Sequence, residues 1–548
     1  MLFCKTINSM EKILPSQEPV LVESKGTMLK NERYHFQIAL KEDIFARYGE
    51  CKKIVVRGDI ADSVSVRVER FVPSTLTNPA ADDYYVSKEA CLIPDVLSNP
   101  HEADVAISCN QWRGVWVTIY NKRGVKKGKH HLEFDIYSSV GELQATVSYD
   151  ITVINANLPE TDLVLTNWMH YDCISNWYKA PLFGRKFYKI FEGFLKAYTE
   201  SGFNMLLVPT FTPAFDTKVG TERMTAQLVK VIKNGDTYTF DFTELKKFIL
   251  FVFKRGIKYL EFAPLFTQWG GTACPKVMAT ENGVEKRIFG WDVAADSKEY
   301  TSFLEQYLSA LTAFIDEMGI RKVCYFHLTD EPGEAHIESY KKCREAVKKH
   351  IGDMPIMDAM HDYTFKEKGY VDIPVAGLQS YKHFAEHDIY DIFVYNCCSP
   401  VNGYYSNRFV NMPSQRTRVL GMQLYQTGVK GYLHWGFNFY KSYLSVRYNN
   451  PYISADILGA YPTGDGHIVY PGEDGAEQSI RSEVINDGFQ DYRALKLLES
   501  YIGRAEVLAL LKEWGLEGYT VYPRDAAAHA AFRDKINKLI RKYKNKKV

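Results

Sequence analysis

From Leu163 onward the chain repeats one alternation eight times, and that repetition restricts the fold more than any other feature of the sequence. Apolar runs of about five to seven residues alternate with stretches of 3.6-residue periodicity, the pattern of parallel strands joined by crossover helices. The runs are "LVLTNWMH" from Leu163, "FNMLLVPT" from Phe203, "IKYLEFAP" from Ile257, "KVCYFHLTD" from Lys322, "MPIMDAM" from Met354, "PVAGLQS" from Pro374, "DIFVYNCC" from Asp391 and "GYLHWGFN" from Gly431. Helices are expected over Arg185–Ser201, Phe242–Arg255, Ser297–Met318, Glu334–His350 and Met412–Thr427. Eight such units make a (β/α)8 TIM barrel, whose active site lies at the C-terminal ends of its strands. A doubly wound open sheet is the structural alternative.

The first third of the chain has a different grammar. "YHFQIAL", "KKIVVRG", "VSVRVERFV", "GVWVTIYN", "HHLEFDIYS" and "ATVSYDITVI" are short alternating segments separated by turn residues, as in an antiparallel β-sandwich. The expected organisation is a sandwich over 1–157, a barrel over 158–500 and a C-terminal helical extension over 501–548. "SEVINDGFQDYRALKLLES" supplies a long helix to close the barrel, with Arg481 and Asp491 as an ion pair at that closure. The last helix, "FRDKINKLIRKYKNKKV", reads as a solvated basic face with a frayed tail.

With 67 basic and 66 acidic residues the net charge is +1, so no global field recruits nucleic acid. The ten cysteines include no CxxC pair, which leaves zinc and disulfide scaffolds unsupported, and no metal or cofactor is expected. No run of about 18 apolar residues marks a membrane span. The N-terminus lacks the apolar stretch of a signal peptide, so the reading is cytoplasmic, or secreted if a leader precedes these residues. Nothing in the chain sets its oligomeric state.

The strand ends carry the chemistry. They present His170 and Asp172, then Glu261 and Trp269, then Asp330 and Glu331. The later strands present Asp358, His361, Asp362, Gln379, Tyr395, His434, Trp435 and Asn438. This mouth is rich in aromatics and carboxylates and nearly without cations, which suits a sugar better than a phosphate. Asp330 and Glu331 are adjacent at the end of the fourth strand, where alternation would send them to opposite faces. Pro332 ends the strand and is expected to hold Glu331 extended. Two such carboxyls do not ionise independently, so Glu331 is expected to keep a proton. An acid beside an anion is what glycosidic cleavage requires. The competing reading makes Thr329 or Asp330 the cap of the following helix, with Glu331 in its solvated first turn. A conventional mechanism also needs a second carboxylate, for which Asp172, Glu261, Asp358 and Asp362 are open; attack by a 2-acetamido group of the substrate needs none.

"HLTDEP", "DIFVYNCCSP", "YLHWGFNFY", and "GDGHIVYPG" followed by "SIRSEVINDGFQDY" together resemble glycoside hydrolase family 123, the β-N-acetylgalactosaminidases. The resemblance implies a β-sandwich before the barrel and a retaining, substrate-assisted exo-hydrolase. Its substrate would be a glycan or glycolipid with terminal β-linked N-acetylgalactosamine. It makes Glu331 the acid and Asp330 the residue that stabilises an oxazolinium intermediate. Tyr395, by position, becomes the donor to the acetamido carbonyl, and Trp435 the apolar wall for the ring. His170, Gln379 and Asn438 join them as candidate substrate contacts from their strand-end positions. Asn486 and Gln490 depart from the expected pattern of the closing helix, where a basic and an acidic residue are common. The alternatives are a two-carboxylate β-glycosidase acting on plain hexosides and a non-catalytic carbohydrate-binding protein.

Overall fold

A computed structural model of the chain describes residues 1–43, 50–100, 104–121 and 123–545. The N-terminal part is two five-stranded sheets. One runs in the order Leu2–Asn8, Tyr34–Glu42, Arg113–Ile119, Val64–Ser74, Cys91–Leu97, with every pairing antiparallel. The other runs Lys25–Lys30, Leu143–Asn157, Gly128–Tyr137, Glu50–Arg57, Asp104–Ile107. Its first pair is parallel, a departure from the antiparallel expectation. Alternating inward residues of both sheets fill the space between them, with Phe36 stacked on Tyr149 and Ile38, Val117, Phe134 and Ile151 around them.

All eight expected barrel strands form. They are Val164–Asn167, Met205–Val208, Tyr259–Phe262, Cys324–Phe326, Met357–Met360, Ile373–Gly377, Phe393–Tyr395 and Gly431–His434, all parallel. Strand eight pairs with strand one, and a parallel bridge from Phe326 to Ile356 joins four to five, so the sheet closes. The helices after strands one to four are Arg185–Glu200, Thr243–Phe253, Lys298–Met318 and Ile337–Ile351; those after five and six shrink to Thr364–Glu367 and Tyr381–Glu386. Two hairpins that the periodicity did not announce, Lys230–Asp241 and Val277–Phe289, make a four-stranded sheet beside the barrel.

The helix Ile480–Ile502 is buried along most of its length because it is the seam between barrel and sandwich. This corrects the expected ion pair. Arg481 bonds Asp95 of the sandwich at 2.9 Å, while Asp491 takes Arg418 at 2.7 Å and Arg533 at 3.1 Å. Asn486 and Gln490 sit on the same seam, and Gln490 accepts from the Arg33 amide at 2.7 Å. The last helix, Ala526–Lys544, turns its expected basic face outward, with Lys538, Arg541 and Lys542 exposed, while its other face buries Phe532, Ile536 and Ile540 and ties Arg533 to Glu32 at 2.7 Å. The final three residues of that basic stretch, 546–548, lie outside the described residues.

Candidate active site

A pocket of about 140 Å³ opens at the C-terminal mouth of the barrel. Asp330, Glu331, Tyr395 and Trp435 line it, with Trp168, Phe215, Asp216, Trp269 and Tyr461. A larger cleft of about 520 Å³ runs between the sandwich and the helix Arg185–Glu200, away from the strand ends.

Both members of the acidic pair therefore reach one pocket, by a route different from the one expected. Glu331 is not extended before Pro332; it has φ +44°, a left-handed conformation that a non-glycine residue adopts only under constraint. Asp216 (φ +41°) and Trp269 (φ +59°) share this conformation and this pocket. Neighbouring loops hold the segment. The Thr329 hydroxyl donates to the Thr267 carbonyl at 2.6 Å, and the Trp269 amide donates to the Asp330 carbonyl at 2.8 Å. The capping reading fails, because Thr329 is engaged elsewhere and the helix begins only at Ile337, after a turn over Glu334–His336.

Burial, and then the charge of Glu331, hold the Asp330 carboxyl well above the usual carboxylate range. Raised in this way, the Asp330 carboxyl is itself inclined to hold a proton, a tendency the sequence analysis had given to Glu331 alone. The Tyr395 hydroxyl donates to Glu331 Oε1 at 2.5 Å and lies 3.0 Å from His361 Nε2. His361 is fixed in turn by Ser380 Oγ at 2.9 Å. Burial and the nearby Glu331 carboxylate keep the Tyr395 hydroxyl protonated, and so a donor.

Beneath the pair, His327 bridges Glu261 through Nε2 and Asp358 through Nδ1, the latter at 2.9 Å. Burial opposes charge on this imidazole, but Glu261 and Asp358 outweigh it and push the pKa up to about 10. Glu261 also accepts from Trp168 Nε1 at 2.6 Å and from Thr166 Oγ1 at 2.5 Å. Asp358 also accepts from Tyr340 Oη at 2.6 Å.

The carboxylates left open by the sequence are thus engaged outside the pocket. Glu261 and Asp358 belong to this buried cluster, Asp172 is held by Arg223 at 2.6 Å and Lys441 at 2.7 Å, and Asp362 accepts from the Thr364 amide at 2.9 Å. Two acids were missed. Asp216 lines the pocket, its carboxyl pushed up to about 6 by burial. Asp465, pushed up to about 7 by burial, accepts from Trp435 Nε1 at 3.0 Å and so orients the ring. Asp465 lies inside the quoted "GDGHIVYPG" and was open to discovery; Asp216 sits in a long loop after strand two with no motif around it.

The other candidate contacts are not brought into the pocket. His170 is buried behind Trp435, Nε2 to the Trp435 carbonyl at 2.9 Å, and burial pushes its pKa down to about 3. Asn438 is fully buried and clamps the His170 backbone, accepting from its amide at 2.8 Å and donating to its carbonyl at 3.1 Å. Gln379 lies beside Gly377 and is not among the residues that line the pocket. Among the described residues no group of three or more His, Cys, Asp or Glu side chains is arranged to hold a metal ion. No helix among them is long and apolar enough to cross a membrane.

A family 123 glycoside hydrolase from Clostridium perfringens, whose structure was described for glycolipid glycan hydrolysis, is similar over 99% of this chain and 97% of its own. The TM-score is 0.73 at 16% identity, a likeness of fold. A family 5 mannosidase from Rhizomucor miehei aligns over 67% of this chain and 96% of its own at 12% identity. An endo-β-1,4-mannanase from Thermotoga petrophila aligns over 61% and 77% at 11%. Both have a TM-score of 0.33, too low to bear on this chain. Comparison with curated protein sequences gives no match. The catalytic-domain model of glycoside hydrolase 123 matches residues 168–498, more than half of the chain and all of the pocket, and the chain belongs to glycoside hydrolase family 123.

Proposed function

We propose that the protein is a retaining exo-β-N-acetylgalactosaminidase that releases terminal β-linked N-acetylgalactosamine from glycans or glycolipids by substrate-assisted catalysis. The observation that carries this reading is the placement of Asp330 and Glu331 side by side in an aromatic-walled pocket, while Asp172, Glu261, Asp358 and Asp362 are engaged outside it.

The pair holds one proton. An acetamido N–H donating to Asp330 favours its ionised form and leaves the pair's proton on Glu331. Tyr395 then turns its hydroxyl from Glu331 to the acetamido carbonyl. That carbonyl oxygen attacks the anomeric carbon while Glu331 gives its proton to the glycosidic oxygen, and the bond to the leaving group breaks. Asp330 stabilises the positive charge of the oxazolinium ring. Water then attacks the same carbon, Glu331 takes its proton, and the ring opens with the β configuration retained. Trp435, held by Asp465, forms the wall against the sugar face.

Asp216 supports a second reading. As a further pocket carboxylate it could serve as a covalent nucleophile, with Glu331 as acid, on sugars without an acetamido group. Turnover of aryl β-N-acetylgalactosaminide, aryl β-N-acetylglucosaminide and aryl β-galactoside separates the two. The first reading expects hydrolysis of the first substrate, strong inhibition by a thiazoline mimic of the oxazoline, and little action on the galactoside. Turnover of the galactoside alone would sink it.

A further inference from the structure

A second cavity of about 300 Å³ adjoins the active-site pocket, and Tyr461 is a wall of both. A loop also joins them: Cys397 and Cys398 line the first pocket, and Val401, three residues on, lines the second. This second cavity is built by both parts of the molecule, with Thr75, Leu76 and Tyr85 from the sandwich facing Asn411 and Thr463 from the barrel. Cross-links fix its shape. The Thr75 amide donates to Thr463 Oγ1 at 3.2 Å, Tyr85 Oη donates to the Val401 carbonyl at 2.7 Å, and the Val86 amide donates to the Asn411 carbonyl at 2.8 Å.

Two properties define what fits. None of the lining side chains carries a formal charge, so an anionic ligand would lose its hydration without a counterion. Asn411 is only 4% exposed, and its Oδ1 has no hydrogen-bond partner. That oxygen has almost no accessible surface, so Asn411 closes the wall of the cavity and offers a ligand no acceptor. The Tyr461 ring, which packs against Trp435 on the active-site side, supplies an aromatic surface at the junction. Uncharged walls and an aromatic threshold suit a neutral sugar.

We propose that this cavity binds the neutral sugar units on the leaving-group side of the scissile bond, so that the glycan passes over Tyr461 and the sandwich takes part in substrate selection. This rests on the reading of the active site given above. The terminal residue occupies the pocket of Asp330 and Glu331, and the units behind it lie in the second cavity. Glycans carrying sialic acid or sulfate on those units are disfavoured.

The test fills the cavity from its rim. Ala460 lines it and is exposed, so Ala460→Trp obstructs it without entering the core. Three substrates are compared: an aryl β-N-acetylgalactosaminide, a neutral tetrasaccharide ending in β-linked N-acetylgalactosamine, and the same tetrasaccharide sialylated on an inner sugar. Ala460→Trp is expected to lower kcat/KM about tenfold on the neutral tetrasaccharide, mainly through KM, and to leave the aryl substrate within about twofold. The wild-type protein is expected to prefer the neutral over the sialylated tetrasaccharide. Asn411→Asp, which places a charge in the cavity, is expected to act in the same direction. Unchanged tetrasaccharide kinetics in Ala460→Trp, or an equal fall on both neutral substrates, would overturn the inference while leaving the active-site reading intact. Failure of the wild type to hydrolyse the aryl substrate would overturn both.

Discussion

The catalytic pair depends on one residue's backbone. A regular strand would have placed the Asp330 and Glu331 carboxyls on opposite faces, and the left-handed turn at Glu331 brings both to the pocket. Such a conformation before a proline is unfavourable by about 1–3 kcal/mol, and the packed loop Thr267–Gly271 helps to maintain it. Asp330→Asn keeps the shape but removes the anion, so kcat/KM is expected to fall about 10²–10⁴-fold on aryl and natural substrates alike. Glu331→Gln is expected to fall as far on natural glycosides but less on aryl substrates whose leaving group needs no proton. Equal losses across leaving groups for Glu331→Gln would remove it from the role of acid. Because the active form of the pair holds a single proton, kcat/KM should trace a bell, both limbs of which belong to the pair. Burial and mutual repulsion place the alkaline limb well above the ordinary carboxylate range. In Asp330→Asn the repulsion is gone, and whatever residual activity is measured should lose its alkaline side at lower pH.

At the scale of strands and loops, the cluster of His327, Glu261 and Asp358 locks strands three, four and five beneath the pair. Its imidazole has a pKa of about 10, held up by two carboxylates against the opposing effect of burial. A folded-state pKa above the unfolded value of about 6.5 means that the native form binds more protons across that interval. Its contribution to stability is complete below the unfolded pKa and is lost as pH rises toward 10. His327→Gln leaves two buried carboxylates without their cation and is expected to destabilise by about 3–5 kcal/mol. It should also flatten the decline of stability with alkaline pH, both read from denaturant titrations at several pH values; a wild-type slope in the variant would dismiss the imidazolium. Of these elements the eight strands were legible, since each is a dense apolar run, and so was the acidic pair. The hairpins at "KNGDT" and "ENGVE" were also readable, because Asn-Gly is a strong hairpin signal; Asn282 and Gly283 do adopt positive φ. The backbone reversal at Glu331 was not legible, since Pro332 argues for an extended neighbour. Nor could strand-end position separate Trp435, which faces the pocket, from His170 and Asn438, which bond each other behind it. Asp216 and Tyr461 arrive from loops that carry no local pattern.

At the scale of the whole molecule, the sandwich and the barrel share their interior. Leu97 and Trp116 of the sandwich pack with Ile480 and Val484 of the seam helix. Val72, Ile93 and Val96 pack with Val410 and Tyr470 in the same way. Charge follows the same line: His35 sits between Asp487 at 2.8 Å and Glu483 at 3.1 Å, and Arg67 also binds Glu483. Partners as far apart in sequence as Asp95 and Arg481 leave no local trace, which is why their pairing could not be read from the chain. An interface of this kind ties the stability of each part to the other, because separating them exposes apolar surface and unpairs buried charges on both sides. The full chain is therefore expected to unfold in one transition, with calorimetry, far-ultraviolet dichroism and loss of hydrolysis coinciding in temperature. Trp116→Ala, a substitution remote from the active site, should lower all three midpoints together, its cavity destabilising by about 3–5 kcal/mol. Two resolved transitions, with hydrolysis following only the later one, would show that the barrel stands alone and that the sandwich is an appendage. A single transition displaced by Trp116→Ala would instead make the sandwich a structural condition of the active site.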